Sequence, residues 1–524
     1  MTNYSTFSNG IGSEREAEPM ARPKRGRSPK HGGGEASMLS SNINLLNTIV
    51  GAGTLAMPHA MSQMGMLLGI IVIVWSGLTS AFGLYLQSRC ARYLDRGTSS
   101  FFALSQLTYP NAAVIFDAAI AVKCFGVGVS YLIIIGDLMP GVMRGFNSNA
   151  DATPFLVDRH FWITAFMLVI IPLSFLRRLD SLKYTSLIAL VSIGYLIILV
   201  VYHFASDSLV NRGEVNVIEW NGPIAFLSSL PVVVFAYTCH QNMFSVINEI
   251  KDNTPGSLVG VISSSIGSAA GIYLLVAITG YFTFGNDVLG NIVSMYPASV
   301  ASTIGKAAIV ILVMFSVPLQ VHPCRASLDA VLKWRPNRSN RREDSQNNRN
   351  LLPTASGPTD SHGAPIATIS ELRFALLTTF IVVLSYITAL TVSQLDRVLA
   401  YVGATGSTSI SFILPGLFYY KISDPDSIHH QRLAKEDDDV DAVAGDDSED
   451  ATEIASGSDG LLETGSLRSG GSGSGWLKMK RRWRWDLEHV EHGLLRKMAL
   501  CLAIYGVCVM VVCLILNMFF TVAH

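Results

Sequence analysis

Residues 47–60 read NTIVGAGTLAMPHA and lie inside the first long apolar segment of the chain. Two glycines, Gly51 and Gly53, stand two positions apart, and Pro58 follows just over a turn later. Glycine in a helix interior lowers helix stability, and proline removes a backbone hydrogen bond. The pattern therefore predicts a first membrane helix that is interrupted near its centre.

The composition is that of a polytopic membrane protein. Half of the 524 residues are hydrophobic and the mean hydropathy is +0.39, although three long tracts are polar. A bilayer core about 30 Å thick needs roughly 20 apolar residues per helix. Windows of about that length predict eleven spans, at 39–62, 65–88, 112–138, 161–176, 184–205, 223–248, 258–284, 301–324, 371–393, 398–420 and 496–521. We therefore expect an all-α polytopic membrane protein.

Lysine and arginine are distributed unequally across these spans. Six lie in the N-terminal tail, and most of the others fall in connections on the same side of the predicted membrane. Because cytosolic loops carry the excess of positive charge, we expect a cytosolic N-terminus. With eleven spans, the C-terminus is then expected on the lumenal side.

Polar tracts divide the chain into expected regions. Residues 1–37 form a disordered cytosolic tail, and a ten-helix core at 38–421 contains a disordered cytosolic loop at about 335–369. Residues 422–493 join an acidic block, a Gly–Ser linker and a basic-aromatic stretch, which we expect on an anionic lipid surface more than on nucleic acid. Residues 494–524 hold the eleventh helix and a short lumenal end.

The sixth predicted span carries a second interruption. Pro231 is followed by the polar run YTCHQN at 237–242, in the middle of apolar sequence. Spans one and six are the first members of two successive sets of five. Close helix packing on small residues is the alternative explanation for the first interruption. A matched pair of interrupted helices instead indicates an inverted-repeat secondary transporter that binds its substrate near the midplane.

Interrupted helices expose backbone groups of both partial charges. The N–H groups at the start of a half-helix attract an anion, and the carbonyls at the end of one attract a cation. Irregular backbone at membrane depth is tolerated where it is buried or lines a cavity. A free amino acid carries both charges on one carbon, so the two breaks predict an amino acid site.

Five stretches in order resemble the amino acid/auxin permease family, and within it the fungal vacuolar amino acid transporters. They are NTIVGAGTLAMP, VKCFGVGVSYLIIIGDLMP, PVVVFAYTCHQNMFSVINEI, FSVPLQVHPCR and YVGATGSTSISFILPGLFYY. The resemblance covers about 39–421 and 494–521. It implies a LeuT-type 5+5 inverted repeat with an eleventh transmembrane helix. It also implies proton-coupled movement of neutral or acidic amino acids across the vacuolar membrane.

The residues and the resemblance together give a set of candidate substrate-binding residues. The first break offers backbone N–H groups to the carboxylate, and the second offers carbonyls to the ammonium. The two polar residues before the first break contact the amine or form an interhelical hydrogen bond. A tyrosine on span three resembles the position of an aromatic lid. The set is Asn47, Thr48, Gly51, Ala52, Gly53, Thr54, Tyr131, Phe235, Ala236, Tyr237 and Thr238.

Three further residues are candidates for coupling. Lys123 lies about 11 residues, or about 16 Å, into span three, and a lysine near mid-membrane indicates a functional site. His240 is a second titratable group near the second break. Ser316, with Asn47, retains some of the chemistry of a sodium site. The small polar residues at 403–409 in span ten line the side-chain pocket or pack against neighbouring helices.

No catalytic triad, metal-ligand spacing or phosphate-binding loop is recognisable, so we expect a transporter and not an enzyme, with no cofactor and no metal. The expected partners are an amino acid, protons in preference to sodium, and the lipid bilayer, with no nucleic acid. Two alternatives stay open. One is an amino-acid sensor that signals through its tails, and the other is sodium-coupled uptake at the plasma membrane.

Overall fold

A computed structural model gives the fold. It describes residues 34, 36–94, 97–147, 149–176, 185–206, 213–333, 370–428, 430–431 and 473–520, with backbone only at 185–188, 473–492 and 520. The expected disordered loop at 335–369, nearly all of the N-terminal tail and most of the 422–493 region lie outside the described residues.

Regular structure in the described part of the chain is helical, apart from one isolated bridge between Ala36 and Ile250. The α-helices are α1 (Met38–Ile49), α2 (Ala52–Met64), α3 (Met66–Ala91), α4 (Phe101–Thr108), α5 (Ala113–Phe146), α6 (Arg159–Ser174), α7 (Thr185–Ala205), α8 (Gly222–Ala236), α9 (His240–Glu249), α10 (Pro255–Phe284), α11 (Ile292–Met295), α12 (Val300–Lys333), α13 (Glu371–Thr391), α14 (Leu395–Val402), α15 (Leu414–Ile422) and α16 (Gly473–Phe520). Two π-helical turns, Gly403–Ser407 and Ser409–Ile413, join α14 to α15.

These helices correspond to the eleven expected spans. Eight stretches of the described chain are long and apolar enough to cross a membrane. The other three are the shorter apolar helices α6 and α7 and the first span, which is split into α1 and α2. The sixth span is α8 followed by α9, and the tenth runs from α14 through the π-helical turns to α15.

The two sets of five spans pack against each other at equivalent positions. The third and eighth spans, α5 and α12, lie along each other, and the halves α2 and α8 of the first and sixth spans are in contact. The eleventh helix, α16, packs outside this core against α15 and the π-helical turns. The expected fold class, an all-α polytopic protein with a 5+5 repeat of LeuT type and one added helix, is confirmed.

A glycine fixes the turn between the first two spans. Gly65 has φ of 77°, a left-handed conformation that favours glycine, and it lies directly between α2 and α3. A β-carbon at this position would also collide with the carbonyl oxygen of Glu219. The chain therefore reverses here without a loop.

Candidate functional site

Both interruptions predicted from the sequence are present. In the first span α1 ends at Ile49, the backbone of Val50 is extended, and α2 begins at Ala52. In the sixth span α8 ends at Ala236 and α9 begins at His240, with three non-helical residues between them. Each break therefore places the end of one half-helix beside the start of another.

One tyrosine hydroxyl joins the two breaks. The hydroxyl oxygen of Tyr273, on α10, lies 2.7 Å from the carbonyl oxygen of Ile49 and 2.8 Å from that of Ala236. The side chain is fully buried, and its hydroxyl donates to one of these terminal carbonyls at a time. Sequence reasoning missed this residue, although a tyrosine inside an apolar span needs a polar partner.

Close backbone contact holds the breaks side by side. A β-carbon at Gly53 would lie 2.6 Å from the β-carbon of Ala236 and 2.8 Å from its α-carbon. On the other half of each span, Asn242 Nδ2 of α9 donates to Thr48 Oγ1 of α1 at 2.8 Å. Thr48 therefore forms the interhelical hydrogen bond that was one of its two expected roles.

A cavity of about 520 Å³ lies between the two breaks, α5 and α12; we call it the central cavity. Nine of the eleven candidate substrate-binding residues line it, together with two of the three coupling candidates. They are Asn47, Thr48, Gly51, Ala52, Gly53, Tyr131, Phe235, Ala236 and Thr238, with Lys123 and Ser316. The structure thus brings together residues from four separate spans that were selected from the sequence alone.

The other three candidates do not line the central cavity. Thr54 is fully buried, and Tyr237 packs edge-on against Tyr273 with ring centroids 5.1 Å apart. His240 faces α3, where a β-carbon at Gly83 would lie 2.8 Å from its Nε2 atom. These three lie in the packing behind the breaks.

The small polar residues of span ten also lie outside the cavity lining. They form the π-helical turns, whose glycines allow close helix contact. A β-carbon at Gly406 would lie 2.6 Å from that of Lys123, and one at Gly403 would collide with the backbone of Pro231. Of the two roles expected for this run, the structure supports helix packing.

The cavity lining includes a polar face that sequence reasoning missed. Gln241, Ser245 and Glu249 recur every four residues along α9 and all line the central cavity. That spacing puts them on one side of a helix and could have identified them. Gln320 and His322 of α12 lie opposite.

Charge in the central cavity is sparse. Among the described lining residues only Lys123 and Glu249 carry a full charge. Glu249 ends α9 at the mouth, whereas Lys123 is 4 % exposed and lies beside the breaks. Within the described chain Lys123 has no ion pair or hydrogen bond. The site therefore offers one unpaired cation near the exposed helix ends.

The central cavity extends toward one end of the helix bundle. Its lining reaches Glu249, the last residue of α9, and Pro323 in the second half of α12. On the opposite side, Arg159 Nε of α6 lies 3.3 Å from Asp137 Oδ1 of α5, and His59 Nε2 of α2 lies 3.8 Å from Asp396 Oδ2 of α14. These pairs join the helices that close that end.

A short segment before α1 ties the two interrupted spans together at the open end. The Ala36 N–H donates to the carbonyl of Glu249 at 2.9 Å, and the Lys251 N–H donates to the carbonyl of Ala36 at 2.9 Å. Ser37 caps α1 by accepting a hydrogen bond from the Ser40 N–H. This segment therefore holds α1 and α9 as one unit beside the cavity mouth.

Shortening the N-terminal tail should affect stability and transport differently, depending on whether the deletion stops before residue 34 or continues past it. Removing residues 1–33 keeps this segment, so we expect the transport rate per molecule and the melting temperature to stay near wild type. Removing residues 1–37 deletes the two backbone hydrogen bonds of Ala36 and the cap of α1. At roughly 1 kcal/mol each, their loss should lower the free energy of unfolding by about 3 kcal/mol. We expect a lower melting temperature and slower transport, measured on purified, reconstituted protein. Equal behaviour of the two truncations would contradict the contact.

Two interrupted helices that face one cavity in a bundle of apolar spans are typical of membrane transporters. The chain belongs to the transmembrane amino acid transporter protein family, whose model matches residues 34–438.

Named relatives of the chain agree with this family. It is 44 % identical to vacuolar amino acid transporter 5 of Schizosaccharomyces pombe over 391 residues, covering 74 % of this chain and 86 % of that protein. It is 42 % identical to vacuolar amino acid transporter 6 of Saccharomyces cerevisiae, and the match covers 74 % of this chain and 90 % of that protein. The sodium-coupled neutral amino acid symporter 2 of Danio rerio is 24 % identical, and the match covers 75 % of this chain and 77 % of that protein.

Two solved structures are also similar in outline. They are Mhp1, a nucleobase-cation-symport-1 family transporter in a closed conformation, and MhsT in complex with L-phenylalanine. The TM-scores are 0.46 and 0.41, at 11 % and 13 % identity. The matches cover 73 % of this chain and 78 % of Mhp1, and 76 % of this chain and 98 % of MhsT.

Proposed function

We propose that this protein is a secondary active transporter that moves amino acids across the vacuolar membrane, coupled to protons. The observation that carries the proposal is the central cavity, where the ends of four half-helices meet. A volume of about 520 Å³ falls within the range of small-molecule sites. The vacuolar transporters among the relatives support the membrane and the substrate class.

The helix ends suggest how an amino acid is oriented. The first N–H groups of α2, at Ala52 and Gly53, have no partner within their own helix and carry partial positive charge. They would bind the substrate carboxylate. The terminal carbonyls of α8 at Phe235 and Ala236 carry partial negative charge and would accept the ammonium group. The polar face of α9 would then lie along the route between the site and the cytosol.

Sodium coupling is the second candidate, and it has one observation in its favour. Asn47 and Ser316 both line the central cavity, as a sodium site shared by spans one and eight requires. Ser316 Oγ donates to the carbonyl of Leu312 at 2.8 Å, so its oxygen still has a lone pair for a cation. Protons are favoured because a titratable lysine lies in the same cavity.

Transport by the purified protein in proteoliposomes tests the proposal. We expect labelled amino acid to exchange across the membrane, and an imposed pH gradient to drive net accumulation without sodium. Accumulation that requires sodium and ignores pH would establish the second candidate. A sensor would bind amino acid with no exchange, even after its long tails are removed.

A cysteine in the central cavity provides a direct test of where the substrate binds. Cys124 lines the cavity next to Lys123, whereas Cys501 and Cys508 are exposed on the outer face of α16. Because Cys124 is only 2 % exposed, a small methanethiosulfonate reagent should inhibit wild-type transport slowly, and it should not inhibit Cys124→Ser. Saturating amino acid should slow the inhibition. A Cys501→Ser/Cys508→Ser variant should stay as sensitive as wild type. Inhibition unaffected by substrate would place the substrate elsewhere.

A further inference from the structure

A second polar cluster lies behind the broken sixth span, away from the central cavity. Ser76, Ser80 and Gln87 fall on one face of α3 and are fully buried. That face meets the second break. A β-carbon at Gly77 would lie 3.3 Å from the hydroxyl oxygen of Tyr237, and Gln87 Nε2 donates to the carbonyl of His240 at 3.2 Å.

The π-helical turns of span ten form the third wall of this cluster. A β-carbon at Gly83 would collide with the carbonyl oxygen of Ser411 and lie 2.8 Å from His240 Nε2, so both atoms face the same point on α3. Ser411 Oγ donates to Thr238 Oγ1 at 3.3 Å. Since π-helical turns often mark functional positions, their place beside the break is informative.

Many polar atoms in this cluster have no protein partner in the described part of the chain. They are the hydroxyls of Ser76, Ser80 and Tyr237 and Oε1 of Gln87. One ring nitrogen of His240 approaches the backbone of Ser80, and the other has no partner in that part of the chain. Buried polar groups are otherwise almost always hydrogen-bonded, and internal water is the usual partner where protein offers none. A concentration of such atoms at one break therefore points to bound water.

A second cavity lies near one end of this cluster. It has a volume of about 290 Å³ and lies at the end of α3 that we expect to face the cytosol, lined by Ser88, Arg89 and Asn248 among others. Ser88 directly follows Gln87 in the chain. The cluster thus begins one residue from the lining of this cavity and extends to the middle of the sixth span.

We propose that Ser76, Ser80, Gln87, Tyr237 and His240 form a polar track that holds a chain of water molecules and carries protons from the cytosolic side to His240. One ring nitrogen of His240 takes a proton from the adjacent water, which is replenished by the next water along the chain. After the transporter opens to the opposite side, the ring releases that proton to water there, so one proton crosses the membrane in each cycle and the neutral ring is regenerated. This inference rests on the proposed proton-coupled function.

The groups around His240 explain how the track would communicate with the substrate. Tyr237 and Cys239, the titratable residues that share the second break with His240, are neutral in their ordinary forms. The charged neighbour is Lys123, which lies across the sixth span in the central cavity. Two positive charges repel each other, so a substrate carboxylate beside Lys123 would favour a proton on His240. Substrate and proton would then load together.

The test separates proton-driven accumulation from amino acid exchange in proteoliposomes. We expect His240→Gln to reduce accumulation driven by a pH gradient by about a hundredfold, while amino acid exchange stays near the wild-type rate. A hundredfold is the lower end of the range of effects for loss of an acid–base group. Ser80→Ala should reduce driven accumulation several-fold. Thr79→Val is the matched control, because its hydroxyl is bonded within α3 to Trp75 and Ser76 carbonyls. It should behave as wild type.

A thermal measurement tests the water chain independently of transport. If the track is dry, Ser80→Ala removes an unsatisfied hydroxyl and should raise the melting temperature. If it holds water, the variant loses a bonded group and should melt at a lower temperature than Thr79→Val. A raised melting temperature, or driven accumulation unchanged in both track variants, would overturn the polar track. Absence of amino acid exchange in wild type would instead refute the proposed function.

Discussion

Replacing Gly51 with leucine should abolish transport while leaving the protein folded in the membrane. A β-carbon built at Gly51 meets no other atom within 4 Å, so a side chain there extends into the central cavity. It would occupy the space in front of the α2 N–H groups. The substrate carboxylate would lose two hydrogen bonds, each of which contributes about 1.5 kcal/mol. Amino acid affinity should therefore fall by roughly a hundredfold.

Gly53 is the matched comparison for this experiment. From the sequence, Gly53→Leu should also block the site in a folded protein, but the structure gives this glycine a different constraint. Its α-carbon is so close to Ala236 that even alanine would force α2 and α8 apart. Overpacking costs about 1–3 kcal/mol, so Gly53→Ala should lower the melting temperature whereas Gly51→Ala should not.

Substrate affinity and thermal unfolding in detergent distinguish these two glycines. We expect Gly51→Leu to lose amino acid binding with a melting temperature near wild type. Gly53→Leu should lose binding and unfold at a lower temperature. If Gly51→Leu binds amino acid with wild-type affinity, the first break is a packing feature and the carboxylate lies elsewhere.

The positions of the two breaks were predictable because their causes are local. Glycines at 51 and 53 and the polar run at 237–242 act on their own helices, whatever surrounds them. The same local information does not show which side of a helix faces a cavity. His240 and Tyr237 stand in the same polar run as Thr238, yet Thr238 lines the central cavity and the other two do not.

Contacts between distant spans could not be predicted from the sequence, because local sequence does not show which helix faces which. Tyr273 connects the breaks through its hydroxyl, but its own span looks like an ordinary apolar helix. The glycines of span ten are equally ambiguous in sequence, since a cavity and a close helix crossing both favour small residues. Only the packing of Gly406 on Lys123 decides between them.

Replacing Lys123 with alanine should uncouple transport from the pH gradient. The side chain lines the central cavity, is almost completely buried, and forms no ion pair or hydrogen bond with the rest of the described chain. A charged lysine at mid-membrane depth costs at least about 2.5–3.5 kcal/mol on insertion scales. A site that retains such a group uses it, either as a proton carrier or as a fixed counter-charge for the substrate.

Lys123→Arg separates these two roles, because arginine keeps the charge and does not release its proton. If Lys123 carries the proton, both variants should fail to concentrate amino acid under an imposed pH gradient, while exchange of bound substrate continues. If it is only a counter-charge, arginine should support driven accumulation and alanine should weaken substrate binding. Should both variants concentrate amino acid as wild type does, Lys123 has neither role. His240 would then be the better candidate for proton coupling, and the His240→Gln variant would be expected to lose it.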